Sequence, residues 1–165
     1  MGRLGALWGL TGVSLILGWA IYRLTLIGLA GWDVAWGPVH WAAFAVWMLI
    51  MAVGKGYFAL HRGWSPRMAA RIRYLDEYPD LLRVALAPLF CLGFFHAPRK
   101  RILISLGMVA VMIGLVLSVS GLDQPWRGII DLGVAAGLTW GLVAMWGFTF
   151  LAFTDPDFSR SPEVA

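Results

Sequence analysis

Four long, mostly apolar runs constrain this chain more than any other feature of its sequence. The first run, residues 4–22, contains no charge, and as an α-helix it would extend over roughly 28 Å, close to the thickness of a bilayer's hydrocarbon core. A cleaved signal peptide is the alternative interpretation. The apolar core is longer than a signal peptide needs, and no convincing small-residue cleavage site follows it. The run therefore predicts a retained transmembrane helix.

Three further apolar runs predict spans over about residues 40–60, 102–122 and 129–153. The composition agrees with this, because 60% of the residues are hydrophobic and 13% are charged, whereas a soluble domain carries about 25% charged residues. The sequence predicts an all-α integral membrane protein that forms a single membrane domain over residues 1–165. Its four transmembrane helices are expected to form two hairpins, joined by a cytoplasmic amphipathic or re-entrant helical segment.

That joining segment, residues 61–101, is strongly basic and is called the basic platform below. It holds eight of the 13 basic residues of the chain: Arg62, Arg67, Arg71, Arg73, Arg83, Arg99, Lys100 and Arg101. Because Lys and Arg accumulate on the cytoplasmic side of membrane proteins, the platform and both termini are predicted to be cytoplasmic. The excess of Arg over Lys suggests a bacterial source, and thus a bacterial inner membrane. The net charge of +4 is explained by topology and does not indicate nucleic-acid binding.

Within the platform, Ser65 and Pro66 resemble a helix start, and a surface helix is predicted over roughly 66–78. Its apolar residues recur at helical spacing and are expected to face lipid: Met68, Ile72 and Leu75. Arg67 and Arg71 would point away from them, and Arg73 would pair with Glu77 four residues later.

Residues 81–95 are apolar but too short to cross a bilayer, and basic residues flank them on both sides. A re-entrant or interfacial helix broken at Pro88 is predicted there, with the choice between the two left open. The polar tail, residues 154–165, is predicted to be poorly ordered.

Glycine stripes predict where helices pack, because small residues let helix backbones approach closely within lipid. The fourth span has Gly133, Gly137 and Gly141 at four-residue spacing, and the third has Gly107 and Gly114 seven residues apart. Two interpretations stay open. These stripes pack the four helices of one bundle, or one of them, most plausibly that of the fourth span, binds another copy or a partner subunit.

Two ionisable residues lie within the predicted spans, and such residues are candidates for function. Lys55 would lie about 8 Å from the inner end of the second span, and Asp131 would lie one turn inside the outer boundary. Arg127, four residues before Asp131, offers a local ion pair. A structural role for each is the alternative interpretation.

The histidines raise the question of haem. His40 and His61 are too far apart on one helix to bind the same iron, whereas His61 and His96 would both lie at the cytoplasmic face. They are weak candidates for one haem or metal site, and no cofactor is predicted. The single cysteine, Cys91, excludes an internal disulfide and a CxxC redox motif.

The platform is the best candidate binding surface. Six of its residues are candidates to bind anionic lipid headgroups or an acidic partner: Arg67, Arg71, His96, Arg99, Lys100 and Arg101. Enzyme signatures such as HExxH, GxSxG and the P-loop are missing from the sequence. The sequence therefore favours a non-catalytic accessory or scaffolding subunit that packs with lipid and with a membrane partner or a second copy. A small oligomeric transporter or channel is the alternative, and a haem or metal protein is the third interpretation.

Overall fold

The fold was determined as a computed structural model that describes residues 1–155, 157–158 and 160–164, apart from the side chain of residue 101. The chain is 83% helical, and the described residues contain no strand. Four helices are long and apolar enough to cross a membrane, at Gly2–Asp33, Pro38–Glu77, Ile102–Ser120 and Trp126–Thr154. The prediction of an all-α chain with four such helices is confirmed.

The helices follow one another in a simple order along the chain. Helix α1 (Gly2–Leu29) ends in a 3₁₀ turn (Ala30–Asp33), and α2 (Pro38–Ile50) continues as a π-helix (Met51–Trp64) and then as α3 (Ser65–Glu77). We call this continuous rod, Pro38–Glu77, the second long helix. Two short helices follow, α4 (Leu81–Ala85) and α5 (Ala87–Leu92), and then α6 (Arg99–Ser120) and α7 (Trp126–Thr154).

Helix α7 is the centre of the bundle. It packs against both α1 and the second long helix, and α1 also packs against α3, the last part of that helix. Helix α6 touches α7 only slightly. Most of the contacts between the long helices run through α7, so the predicted arrangement in two hairpins is not confirmed.

The glycines of α7 explain how the second long helix can pack so closely against α7. A Cβ atom at Gly133 would collide with the Trp47 ring, one at Gly137 would lie 3.3 Å from the carbonyl oxygen of Met51, and one at Gly141 would lie 2.5 Å from Cδ1 of Leu60. The α7 stripe is thus used inside the chain. In contrast, a Cβ at Gly107 or Gly114 of α6 would meet nothing within 4 Å.

The π-helix matches this glycine stripe. A π-helix has a longer repeat than an α-helix because its hydrogen bonds run from residue i to i+5. Four residues recur at about that longer spacing and all contact α7: Met51, Gly56, Leu60 and Ser65. The Ser65 hydroxyl donates to the Gly141 carbonyl of α7 over 3.2 Å. One row of residues therefore follows α7 through the whole π-helix.

The hydrophobic core lies at the end of the bundle where α3 and α5 meet α1 and α7. It contains Ala6, Leu10, Val13, Met68, Ile72, Leu75, Ala87, Phe90, Cys91 and Met145. The expectation that Met68, Ile72 and Leu75 face lipid is wrong, because they are among the most deeply buried side chains. Ser65 does not start a new helix, so α3 stays in line with the second long helix and turns its apolar face inward.

The segment predicted as re-entrant or interfacial forms α4 and α5, with an irregular residue, Leu86, between them and Pro88 in the first turn of α5. It lies along the glycines of α1. A Cβ at Gly5 would lie 2.8 Å from Val84, and one at Gly9 would lie 2.9 Å from the sulfur of Cys91. These glycines therefore make room for α4 and α5.

The C-terminal tail, expected to be poorly ordered, folds back on this end in its described part. The carbonyls of Pro162 and Glu163 accept hydrogen bonds from Arg71, and Val164 packs against the core. The described part of the tail thus helps to close the core, through two backbone carbonyls and the side chain of Val164.

We expect Gly141→Leu to lower the free energy of unfolding by about 1–3 kcal/mol, since the added side chain overpacks the contact with Leu60. The measurement is the temperature at which the purified protein loses its monomer peak in size-exclusion chromatography after heating in detergent.

Gly147→Leu is the matched control. Gly147 lies on the same helix, but a Cβ atom there would meet nothing within 4 Å. Equal loss of stability in both variants would contradict the internal role of the α7 glycines.

Candidate functional site

The most elaborate arrangement of polar and aromatic side chains lies where α3, α4 and α5 meet. We call it the Arg71 cluster and define it as Arg71, Tyr74, Arg83, Phe90 and His96. Helix α3 supplies Arg71 and Tyr74 because it continues the second long helix into the core. The segment that follows α3 supplies the other members and folds back over its face.

Arg71 is the buried centre of this cluster, with 3% of its surface exposed. Its guanidinium donates to the carbonyl of Phe90 over 2.6 Å, and to those of Pro162 and Glu163 over 2.9 Å each. The charge also lies 5.2 Å from the centre of the Phe90 ring, within the range of a cation–π contact. A buried guanidinium requires such partners, since an unpaired buried charge is strongly destabilising.

Arg83 organises the other half of the cluster. Its Nε donates to Nδ1 of His96 over 3.1 Å, its Nη1 donates to the Tyr74 hydroxyl over 3.3 Å, and its guanidinium lies 5.5 Å from the centre of the Tyr74 ring. The backbone of His96 has a φ of 48°, a left-handed conformation that few non-glycine residues adopt. Arg83 therefore helps to hold a strained turn in place.

The structure divides the six predicted lipid- or partner-binding residues. Arg71 is buried and bonded to the chain's own carbonyls, so its expected exposure to lipid or a partner is corrected. Arg67 is half-buried, and His96 is held by Arg83. Arg99 and Lys100 are exposed at the start of α6 and remain available to a ligand, while the side chain of Arg101 lies outside the described part of the chain.

The two histidines considered for haem belong to different clusters. His61 stacks on Tyr57 with ring centres 5.5 Å apart and meets the edge of Phe148, whereas His96 accepts a hydrogen bond from Arg83. No ring contact joins the two imidazoles in the described part of the chain. The residues that the structure describes also contain no group of three or more metal-ligating side chains.

Lys55 lies in the π-helix of the second long helix, and its side chain is half-buried. Its side chain runs beside Gly137, near the middle of α7, and its ammonium reaches the sulfur of Met112 on α6 over 3.8 Å. The estimate of about 8 Å from the helix end assumed that the helix stops near residue 60, and it continues to Glu77. Lys55 is therefore a half-buried charge that contacts both α7 and α6.

Asp131 lies at the other end of α7 and is 7% exposed. Its Oδ2 is 3.7 Å from Nε of Arg127, so the local ion pair expected between them is present. The pair expected between Arg73 and Glu77 is also present, at 2.7 Å. Both pairs are four residues apart on one helix, the spacing at which helical side chains meet.

Comparison with known proteins assigns no function to these residues. No protein-family model matches the chain, and neither a curated protein nor a solved structure matches it. Its function is therefore inferred from its own geometry.

Sequence reasoning missed the burial of Arg71, the π-helix around Lys55 and the docking of the tail. One signal was available for the first. Arg71 is close in sequence to the apolar residues Met68, Ile72 and Leu75. If protein instead of lipid covers this apolar face of the helix, Arg71 at its edge is buried as well. No local pattern indicates the other two, because both depend on contacts between distant parts of the chain.

We predict that Cys91 does not react with a thiol reagent at pH 8 in the folded protein, and that it does react in Arg71→Met. Burial raises the pKa of the Cys91 thiol to about 12, against a smaller lowering by Arg71, so at pH 8 the thiol stays protonated and enclosed. If the fold stayed closed, the loss of Arg71 would remove its lowering of the Cys91 pKa and make the thiol less reactive. A reaction in the variant would therefore show that the core has opened. The measurement is the increase in intact mass after treatment with a maleimide.

Arg62→Met is the control, since Arg62 is exposed on the same long helix. Labelling of the unsubstituted protein, or equal labelling of both variants, would contradict the role given to Arg71.

Proposed function

We propose that this protein is a non-catalytic accessory or scaffolding subunit of a bacterial inner membrane, with four transmembrane helices and both termini in the cytoplasm. The four helices long and apolar enough to span a membrane support insertion. The orientation follows from the accumulation of Lys and Arg in the basic platform. The partners are another membrane protein and anionic lipid.

The observation that carries this proposal is the isolation of α6. Its apolar side chains are exposed around the helix, and Gly107 and Gly114 open onto free space. In the described part of the chain, few polar side-chain contacts tie it to the rest: the Ser105 hydroxyl donates to the Leu92 carbonyl, Lys55 reaches Met112, and Arg127 donates to the Ser120 carbonyl. Within lipid, helices are held by packing of small residues, and α6 has not used its own.

A transmembrane helix of a partner protein is the occupant that this face fits best. The seven-residue spacing of Gly107 and Gly114 keeps both on one side of a helix that packs with a left-handed crossing. At the base of α6, the exposed Arg99 and Lys100 offer positive charge to an acidic segment of the partner or to anionic headgroups. The glycine stripe of α7 and Gly5, Gly9 and Gly12 of α1 are engaged within the chain, so α6 supplies a free packing face.

We expect the double variant Gly107→Leu with Gly114→Leu to lose the partner and keep the fold, because the added side chains block helix contact without meeting anything in the chain. The bound fraction should fall about tenfold, as for a packing penalty of about 1.4 kcal/mol. The measurement is native mass spectrometry of the tagged protein, extracted in mild detergent from cells that express it from its own locus.

Gly18→Leu is the control, since Gly18 of α1 also meets nothing within 4 Å and lies outside the α6 face. A spectrum that contains only this chain and lipid would contradict the accessory function.

A small oligomeric transporter or channel is the second candidate, and the position of Lys55 favours it. A charge at the middle of a bundle is expensive in lipid and is a functional candidate by default. In this case Lys55 and Asp131 would line a pathway between copies, at two depths along α7.

We expect Lys55→Met to abolish ion or proton flux in proteoliposomes if this second candidate is correct, because the variant keeps the length of the side chain and removes its charge. Asp131→Asn should lower the flux as well. Arg62→Gln, at an exposed site, serves as the control. Unchanged flux in Lys55→Met would remove the transport hypothesis.

A further inference from the structure

An apolar groove opens between α1, α3 and α7 at the end of the bundle that carries the core. Its volume is about 480 Å³, within the range of sites that bind small organic molecules. Leu7 and Leu10 form one wall, and Trp146 and Phe150 form another. The groove lies apart from α6 and from Lys55, so it belongs to neither of the functions proposed above.

The polar groups in the walls of the groove are already bonded within the chain. The indole nitrogen of Trp146 donates to the Ser14 hydroxyl over 3.1 Å, and the Thr149 hydroxyl donates to the Met145 carbonyl over 2.7 Å. Neither of these two polar groups is therefore free to bond a ligand in the groove. An apolar chain is the ligand that such walls accept without leaving polar groups unsatisfied.

Two opposite charges also line this groove, Arg3 from α1 and Asp76 from α3. They are brought together because Gly2 packs directly on the backbone carbonyl of Asp76, an approach that a larger residue would prevent. Neither Arg3 nor Asp76 forms an ion pair with another residue in the described part of the chain. The groove thus combines apolar walls with one unneutralised positive and one unneutralised negative group.

We propose that this groove binds one acyl chain of a zwitterionic phospholipid whose headgroup carries a primary amine, such as phosphatidylethanolamine. Arg3 takes the phosphate and Asp76 takes the ammonium, each through a charge-assisted hydrogen bond. An anionic lipid without an amine satisfies Arg3 alone and leaves Asp76 facing a negative headgroup. A choline headgroup has no N–H to donate to Asp76, so it is bound less well.

The proposal is tested with brominated lipids, which quench nearby tryptophan fluorescence. The full-length protein is reconstituted into phosphatidylcholine vesicles that contain the same minor fraction of brominated phosphatidylethanolamine, phosphatidylcholine or phosphatidylglycerol. The contribution of Trp146, which lines the groove, is obtained by subtracting the signal of Trp146→Phe. We expect brominated phosphatidylethanolamine to bind about threefold more strongly than the other two lipids, as for one partly exposed charge pair.

Asp76→Asn should reduce this preference to that of phosphatidylcholine, and Arg3→Gln should weaken binding of both phosphatidylethanolamine and phosphatidylglycerol. Glu77→Gln is the matched control, because Glu77 is the adjacent acid and pairs with Arg73 outside the groove. Leu7→Phe, which narrows the groove without adding a tryptophan, should lower quenching by all three lipids.

Three results would overturn the proposal: equal quenching by the three headgroups in the unsubstituted protein, a preference for phosphatidylglycerol, or a preference that survives Asp76→Asn. Because Arg3 is exposed, its substitution tests the headgroup contact even if Asp76→Asn does not fold. Loss of a partner at α6 would not change any of these outcomes, so the two proposals fail separately.

Discussion

The close contact between the second long helix and α7 is the constraint on which the rest of the structure depends. The contact is made by close packing at glycines, which is also how helices associate within lipid, where hydrophobic burial does not drive them together. At Gly133, Gly137 and Gly141 the facing side chains occupy the space that a Cβ atom would need. The π-helix keeps one row of its residues on this stripe, and as a result Lys55 is placed beside Gly137.

The same contact determines where α3 goes. Because the second long helix follows α7 without a break, α3 arrives between α1, α5 and α7 and turns Met68, Ile72 and Leu75 into the core. Arg71 comes inward with them. A guanidinium is tolerated there because three backbone carbonyls, from α5 and from the C-terminal tail, accept its hydrogen bonds. The tail is therefore part of the fold at this end.

The contrast between α6 and the other long helices connects structure to function. Neighbouring segments of the chain pack against Gly5, Gly9 and Gly12 of α1 and against Gly133, Gly137 and Gly141 of α7, whereas Gly107 and Gly114 of α6 face open space. A bundle that needed four helices for its own stability would have packed α6 as it packed α7. This is why the proposed accessory function would place a partner at α6. The transport hypothesis depends instead on Lys55, which contacts Met112 of α6.

The sequence by itself determined the four long apolar helices, the small-residue stripes and the ion pairs Arg73–Glu77 and Arg127–Asp131. These follow from composition and from local helical spacing, which neighbouring residues set. Only the tertiary structure decided which stripes are used within the chain, that Arg71 is buried, and that Lys55 lies mid-way along α7. An apolar helix face looks the same in sequence whether it meets lipid or protein, since both are apolar, and only the path of the whole chain selects between them.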